Sequence, residues 1–209
     1  MTDGRRCAAS PEPYEINAAH PIAGCLLVHG LTGSPAEMRP LAEYLGARGY
    51  HCVVPLLPGH GTTLEDLHCV TWQDWVRAAE KELARLQAQH ATVCIVGFSL
   101  GTLIAAHLAA LHPDLAAVAL LSPALVVRNR LLPLAPILHA IIRTFPKGTS
   151  ALQATDAEPY LWHYDRWSTH AAAEMLYLRR HVRRELASAR VPVLIVQSTQ
   201  DAVVAPDSG

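Results

Sequence analysis

The chain has 209 residues, 51% of them hydrophobic and 17% charged, which is enough apolar material for one sizeable core. A formal net charge of -1 supplies no field that would draw nucleic acid or an anionic membrane surface, so neither is an expected partner. The five cysteines are odd in number, and Cys25, Cys52 and Cys94 fall inside apolar runs rather than a spaced framework, a pattern that fits reduced thiols in a cytoplasmic protein.

The first stretch, MTDGRRCAASPEPYEIN, has charges but no apolar segment behind them, and no uncharged run reaches the length of a membrane span. No export signal or integral membrane segment is expected. Next come GCLLVHG and HCVVPLL, then TVCIVGF, LAAVALLS and PVLIVQS. These runs are continuous rather than alternating, as parallel strands covered on both faces are. Between the first two, Met38, Leu41, Ala42 and Leu45 recur with helical period; Trp75, Ala79, Leu83 and Leu86 do the same after the second. Leu100 to His112 is apolar almost all round and stops at His112-Pro113, as a buried helix would. Alternation of this kind predicts an α/β fold with a doubly wound, mostly parallel sheet, whose ligands bind beyond the carboxyl ends of the strands.

Between Ser122 and Arg190 the alternation lapses. Leu134, Ile137, Leu138, Ile141, Ile142 and Phe145 trace one helical face, and YLWHYDRW gathers aromatics downstream. Residues 123–190 are therefore expected to form a helical cap insertion over a core of residues 1–122 and 191–209.

The strongest chemical signal is VCIVGFSLGTLIAAHLAA. Its Gly97, Ser99 and Gly101 form a G-x-S-x-G between a buried strand and a buried helix, the context of a nucleophile elbow. Glycines on either side remove Cβ atoms that would collide in so tight a turn, and the serine hydroxyl is left at a helix N-terminus. An attacking serine needs convergent N–H groups for the oxyanion. Leu100 offers one and Leu31, after the strand end at His29-Gly30, offers another. The histidines at 51, 60 and 68 lack metal-site spacing, so no metal and no cofactor is expected. The arginines of YLRRHVRREL read as a solvated helix face. Glu158 and Asp165 receive no role.

Taken together, LLVHGLTGSP, LLPGHGTT, VGFSLGT and PVLIVQSTQDAVVAPDS resemble the α/β-hydrolases, above all small bacterial carboxylesterases and monoacylglycerol lipases. The resemblance runs from about Gly24 to the last residue, apart from the cap. It implies Ser99 as nucleophile, Asp201 as the acid of a D-x-x-V turn with Val204, and Leu31 and Leu100 as the oxyanion hole. His29, Gly30 and His60 would border the substrate, His60 from the family's GHG loop at Gly59, His60 and Gly61. One departure stands out: family members place the triad histidine after one further strand, and all twelve histidines here precede Asp201.

The resemblance thus predicts a serine esterase acting on short to medium acyl esters or monoacylglycerols, lacking its last strand and helix and nearly inert in this form. A truncated or catalytically dead binding protein of the same fold, or an acyltransferase or lactonase using the same serine, is the alternative. The expected partner is a small-molecule ester; the sequence does not address oligomeric state.

Overall fold

The five apolar runs become the parallel strands of one six-stranded sheet in a computed structural model of the protein, which describes residues 5–7, 9–126, 132–147, 161–201, 203–204 and 208. A short strand β1 (Arg5–Cys7) and the edge strand β2 (Tyr14–Ile16) come first. The runs then form β3 (Ala23–Val28), β4 (Tyr50–Val54), β5 (Val93–Phe98) and β6 (Ala117–Leu121). Three short strands follow, β7 (Thr144–Pro146), β8 (Trp162–Tyr164) and β9 (Arg166–Ser168), before the last apolar run forms β10 (Val193–Val196). Across the main sheet the order is β10-β6-β5-β3-β4-β2, and β2 alone runs antiparallel to its neighbour.

Successive side chains of a strand point to opposite faces, so β3 feeds two cores. Leu26 and Val28 pack with Leu83 and Leu86 of α3 (Trp72–Gln89), which follows the short α2 (Leu64–His68), and with Leu103 and Ile104 of α4 (Leu100–Leu111). Cys25 and Leu27 face the other way, toward Ala42 of α1 (Arg39–Gly46). Helices on both faces explain why β3 is buried at all six positions, and they make the fold the predicted doubly wound α/β type. Ten of the twelve residues of α4 are buried, so this helix has almost no solvent face and needs none of the amphipathic patterning of α3. Cys25 lies in register with Cys52 on one side and Cys94 on the other, and all three are free thiols.

Two expectations are corrected. The run that forms β10 reads as buried, yet Val193, Leu194, Ile195 and Val196 are 50%, 60%, 46% and 50% exposed. β10 is the terminal strand of the sheet, paired with β6 alone, and its apolar composition reports a partner face that the described residues leave uncovered. The stripe from Leu134 to Phe145 is not one helix either. It is a single 3-10 turn (Leu132–Leu134), a four-residue α5 (Ala135–Leu138) and β7, with Ile137 and Ile141 72% and 83% exposed. Pro146 holds Phe145 extended, which favours strand over helix there. Phe145 then stacks on Trp167, with ring centroids 6.3 Å apart, and β7 pairs with β9.

The rest of the expected cap is anchored on the core by polar contacts. From β8, the Tyr164 hydroxyl donates to Gly59 O at 2.9 Å and accepts from Thr62 N at 3.1 Å, while its own N–H bonds Thr32 O at 3.0 Å. One buried tyrosine thereby ties the segment containing His60 to the loop after β3. On α6 (Thr169–Glu185), Glu174 accepts from Trp72 N at 3.0 Å and fixes the start of α3. Among the described residues no helix is long and apolar enough to cross a membrane.

Candidate active site

Ser99 follows β5 with φ 52° and ψ -113° and caps α4, so the chain reverses within one residue of the strand. A serine in this left-handed region is strained by about 1–3 kcal/mol, which the surroundings must overcome. They do so from both sides. Ser99 N donates to Leu121 O at 3.0 Å, and Ser99 O receives both the Thr102 N–H at 3.0 Å and the Thr102 hydroxyl at 2.5 Å. The same hydroxyl accepts from Ala124 N at 3.2 Å, tying the elbow to the segment after β6. Thr102→Val keeps the side-chain volume and deletes these bonds; a loss of about 1–3 kcal/mol in urea unfolding is expected, with full retention of stability contradicting this account.

The glycines of the motif are required by close approach. A Cβ on Gly101 would run into the carbonyl oxygen of Val28 and lie 2.9 Å from His29 O; one on Gly97 would meet the Gly101 carbonyl and lie 2.6 Å from Thr102 N. Strand β3, the elbow and α4 therefore touch backbone to backbone.

Beyond β3, His29, Gly30 and Leu31 pass beside the elbow. A Cβ on Gly30 would sit 3.3 Å from Ser99 Cβ and 3.4 Å from Glu37 Oε2, so Ser99 and the Glu37 carboxylate flank the same glycine. Glu37 accepts the Gly30 N–H at 3.0 Å and lies over Gly33. Burial pushes the Glu37 carboxyl up to about 7, against the opposing effects of the Gly30 hydrogen bond and the Lys147 charge. Lys147, just past β7, is itself pushed down to about 8 by burial, with Glu37 and Asp165 opposing. Sequence reading misses Glu37 altogether; the carboxylate seven residues after a strand-end glycine is its only trace.

The expected substrate-bordering histidines lie behind this wall. His29 is fully buried; its Nε2 accepts from Leu57 N at 3.1 Å, which leaves the proton on Nδ1, 3.0 Å from Gly30 O. Burial, with the neighbouring His60, holds its pKa well below the usual imidazole range. The ring has no nitrogen left for a substrate or a serine hydroxyl. His60 packs edge-on to His29 and Trp75 at centroid distances of 4.9 and 6.0 Å, with Nδ1 3.1 Å from Pro58 O. Its pKa is pushed down to about 4 by burial, so it is neutral at physiological pH. Both rings shape the loops from below, and neither is placed to act as base.

Asp201 sits in the turn after β10. Its Oδ1 accepts the Val203 and Val204 N–H groups at 2.8 and 2.9 Å, and Oδ2 lies 3.5 Å from Gln197 Nε2. Burial works to raise its pKa, but those amides, together with the Ser122 and Gln197 side chains, outweigh it and hold the carboxyl below its ordinary range. Ser122, at the end of β6, also has positive φ, at 50°. Strand β6 alone separates β10 from β5, so the strand that leads to Asp201 and the strand that ends at Ser99 lie about 10 Å apart. Among the described residues no histidine hydrogen-bonds to Ser99 or Asp201. The Leu100 N–H opens α4, where no intrahelical acceptor exists. Among the described residues the Leu31 N–H likewise has no acceptor.

Comparison with known proteins extends these observations to most of the chain. The family model described as serine aminopeptidase, S33, matches residues 19–209. A thermostable monoacylglycerol lipase of Bacillus sp. (strain H-257) is 31% identical over 213 residues, covering 99% of this chain and 80% of that protein. A carboxylesterase of Bacillus subtilis (strain 168) is 32% identical over 44% of this chain and 37% of its own length. A solved structure from a study of the metagenome-derived lipolytic enzymes LipS and LipT superposes with a TM-score of 0.84 at 26% identity, over 94% of this chain and 79% of that one. The monoacylglycerol lipase of Paleococcus ferrophilus, at 22% identity and a TM-score of 0.76 over 94% and 81%, shares the fold. A match of this extent, on a sheet that carries its serine at the end of β5, makes the chain a member of the family described as serine aminopeptidase, S33, and a hydrolase of the α/β fold of the monoacylglycerol lipase and carboxylesterase type.

Proposed function

We propose that the protein cleaves carboxylic esters, short to medium acyl esters or monoacylglycerols, through an acyl-enzyme on Ser99. The observation that carries this reading is the backbone of Ser99 itself: a strained residue between β5 and α4, held in place by Leu121 O, the Thr102 N–H and the Thr102 hydroxyl. The hydroxyl attacks the ester carbonyl, the Leu31 and Leu100 N–H groups take up the oxyanion, and the alcohol leaves. Water then releases the acid. Asp201, kept ionised by the backbone amides of its turn, would orient an imidazole brought between it and Ser99. Residues 123–190 act as a cap over this edge, and the leucines and isoleucines of that segment suit an aliphatic acyl chain better than a charged one. The names of the relatives, a monoacylglycerol lipase and a carboxylesterase, support the same substrate class.

Because no described histidine reaches Ser99 or Asp201, the test supplies the missing base. The chain is incubated with a fluorophosphonate probe, with and without millimolar imidazole, beside Ser99→Ala. Expected is slow adduct formation on Ser99 that imidazole accelerates at least tenfold, and none in the variant. A folded chain, by circular dichroism, that gains no imidazole-dependent label at Ser99 overturns the proposal.

A further inference from the structure

The helix carrying YLRRHVRREL reads as a solvated basic face, yet two of its residues turn away from that description. On α6, His181 and Glu185 are one turn apart, with His181 Nε2 3.2 Å from Glu185 Oε1. Across the helix boundary, His107 of α4 places Nδ1 2.7 Å from Glu185 Oε2. The three ligand-type atoms all lie within 4.8 Å of one another, and among the described residues this is the one group of three histidine, cysteine or carboxylate side chains that converges in this way. We propose that His107, His181 and Glu185 form a binding site for a divalent transition metal of the zinc class, clasping α4 to α6.

The chemistry of the donors favours that class. Two imidazoles and one carboxylate suit zinc, nickel or cobalt, whereas magnesium and calcium require oxygen ligands. Tetrahedral coordination at about 2.0–2.1 Å needs ligand atoms roughly 3.3 Å apart; His181 now meets Glu185 Oε1 at 3.2 Å and His107 meets Oε2 at 2.7 Å, so the carboxylate must turn to offer one oxygen to the ion and the shorter contact must open by about half an ångström. Exposure is graded across the site: the side chains of His107, Glu185 and His181 are 9%, 26% and 45% accessible, which leaves one side open for a water at the fourth position. The indole of Trp72 lies against both imidazoles, at 6.0 Å from His107 and 5.2 Å from His181, and fixes the ring planes as outer-shell packing does in metal sites. The site also sits at the C-terminal end of α6, where the exposed carbonyls favour a cation. Arg183, on the same helix, donates to Leu125 O at 3.3 Å.

Other histidine groupings are less suited. In the pair His68 and His170, Nδ1 of the first is held by Ser168 Oγ and Nε2 of the second by Val70 O. His51 is shared between His90 and a Glu15 that Arg85 already neutralises. The proposed clasp joins the helix that begins at the nucleophile to the helix that leads into β10 and Asp201, so its occupancy bears on the relative placement of the two.

The experiment titrates chelator-treated protein with zinc chloride by isothermal calorimetry and follows thermal unfolding in parallel, with magnesium chloride as the control and His181→Ala, His181→Cys and His68→Ala as variants. Because His181 is half exposed, its replacement leaves the fold intact, as circular dichroism verifies. Expected is one zinc per chain with micromolar affinity and a melting temperature raised by zinc but not by magnesium. His181→Ala weakens binding at least tenfold, His181→Cys restores it, and His68→Ala leaves it unchanged. Absence of zinc binding, or binding unaltered in His181→Ala, overturns the proposal.

Discussion

Gly101→Ala is expected to cost the protein about 4 kcal/mol or more, enough to leave much of the chain unfolded at physiological temperature. The added methyl falls on the Val28 carbonyl oxygen and 2.7 Å from its carbon, and neither can yield, because both belong to the central strand β3. Relief requires α4 to move off the sheet. That movement would open the contacts of Leu100, Leu103 and Ile104 with Leu26 and Val28 in the larger core. An ordinary core insertion costs about 1–3 kcal/mol where a flexible side chain can shift; here backbone meets backbone, and the loss of packing along α4 adds to it. The measurement is the urea midpoint of the variant against the parent. Gly97→Ala, which meets the Gly101 carbonyl, is expected to behave alike, whereas Gly49→Ala at a partly buried turn, whose Cβ finds nothing closer than 3.6 Å, carries only the strain of its φ of 90°. A Gly101→Ala chain with an unchanged midpoint would show that the strand-to-helix contact is looser than described and would remove the physical reason for glycine at this position.

How much of this was legible in the sequence follows from the range of the interactions. The strands, α3, α4 and the elbow are set by neighbours within a turn or a strand, and the period of GCLLVHG or the glycines around Ser99 records them directly. Glu37 and Tyr164 act through contacts that close only in the fold. Tyr164 reaches Gly59 across 105 residues and sits within an aromatic run that says nothing of its partners. His107 and Glu185 meet across 78 residues, beyond the spacings by which metal-binding histidines are recognised in sequence. The stripe from Leu134 to Phe145 misleads for a different reason: its helical period runs past Pro133, Pro136 and Pro146, and the structure breaks the run beside them. β10 carries the composition of a buried strand, and composition cannot say which chain or segment covers it.

The largest pH effect on stability is expected from Glu37 and Lys147, and its shape follows from opposite signs. Glu37 titrates near 7 in the folded chain, against an ordinary 4.5. Between those values the folded state holds a proton that the unfolded chain has lost, so the stabilisation present below 4.5 is lost as pH rises to 7. Lys147 titrates near 8, against an ordinary 10.5. Between those values the unfolded chain holds the extra proton, so stability recovers as pH rises from 8 to 10.5. The pair therefore gives a trough between about 7 and 8, roughly 2–3 kcal/mol deep on each flank at 1.36 kcal/mol per pKa unit with allowance for partial exposure. Their mutual attraction keeps the trough shallower than two isolated buried charges would make it, since each appears among the influences that oppose the other's shift. Glu37→Gln retains an acceptor for the Gly30 N–H, and Lys147→Met keeps an unbranched side chain while removing the ammonium that lies 5.2 Å from the Trp167 ring centroid. The double variant is expected to flatten the profile of urea midpoints between pH 5 and 10 and to lie above the parent near pH 5, where the Glu37 carboxyl is already neutral but the buried Lys147 charge is still present. A trough of equal depth in the double variant would assign it to other groups. It would also leave Glu37, the carboxylate that flanks Gly30 with Ser99, without a part in the pH dependence of stability.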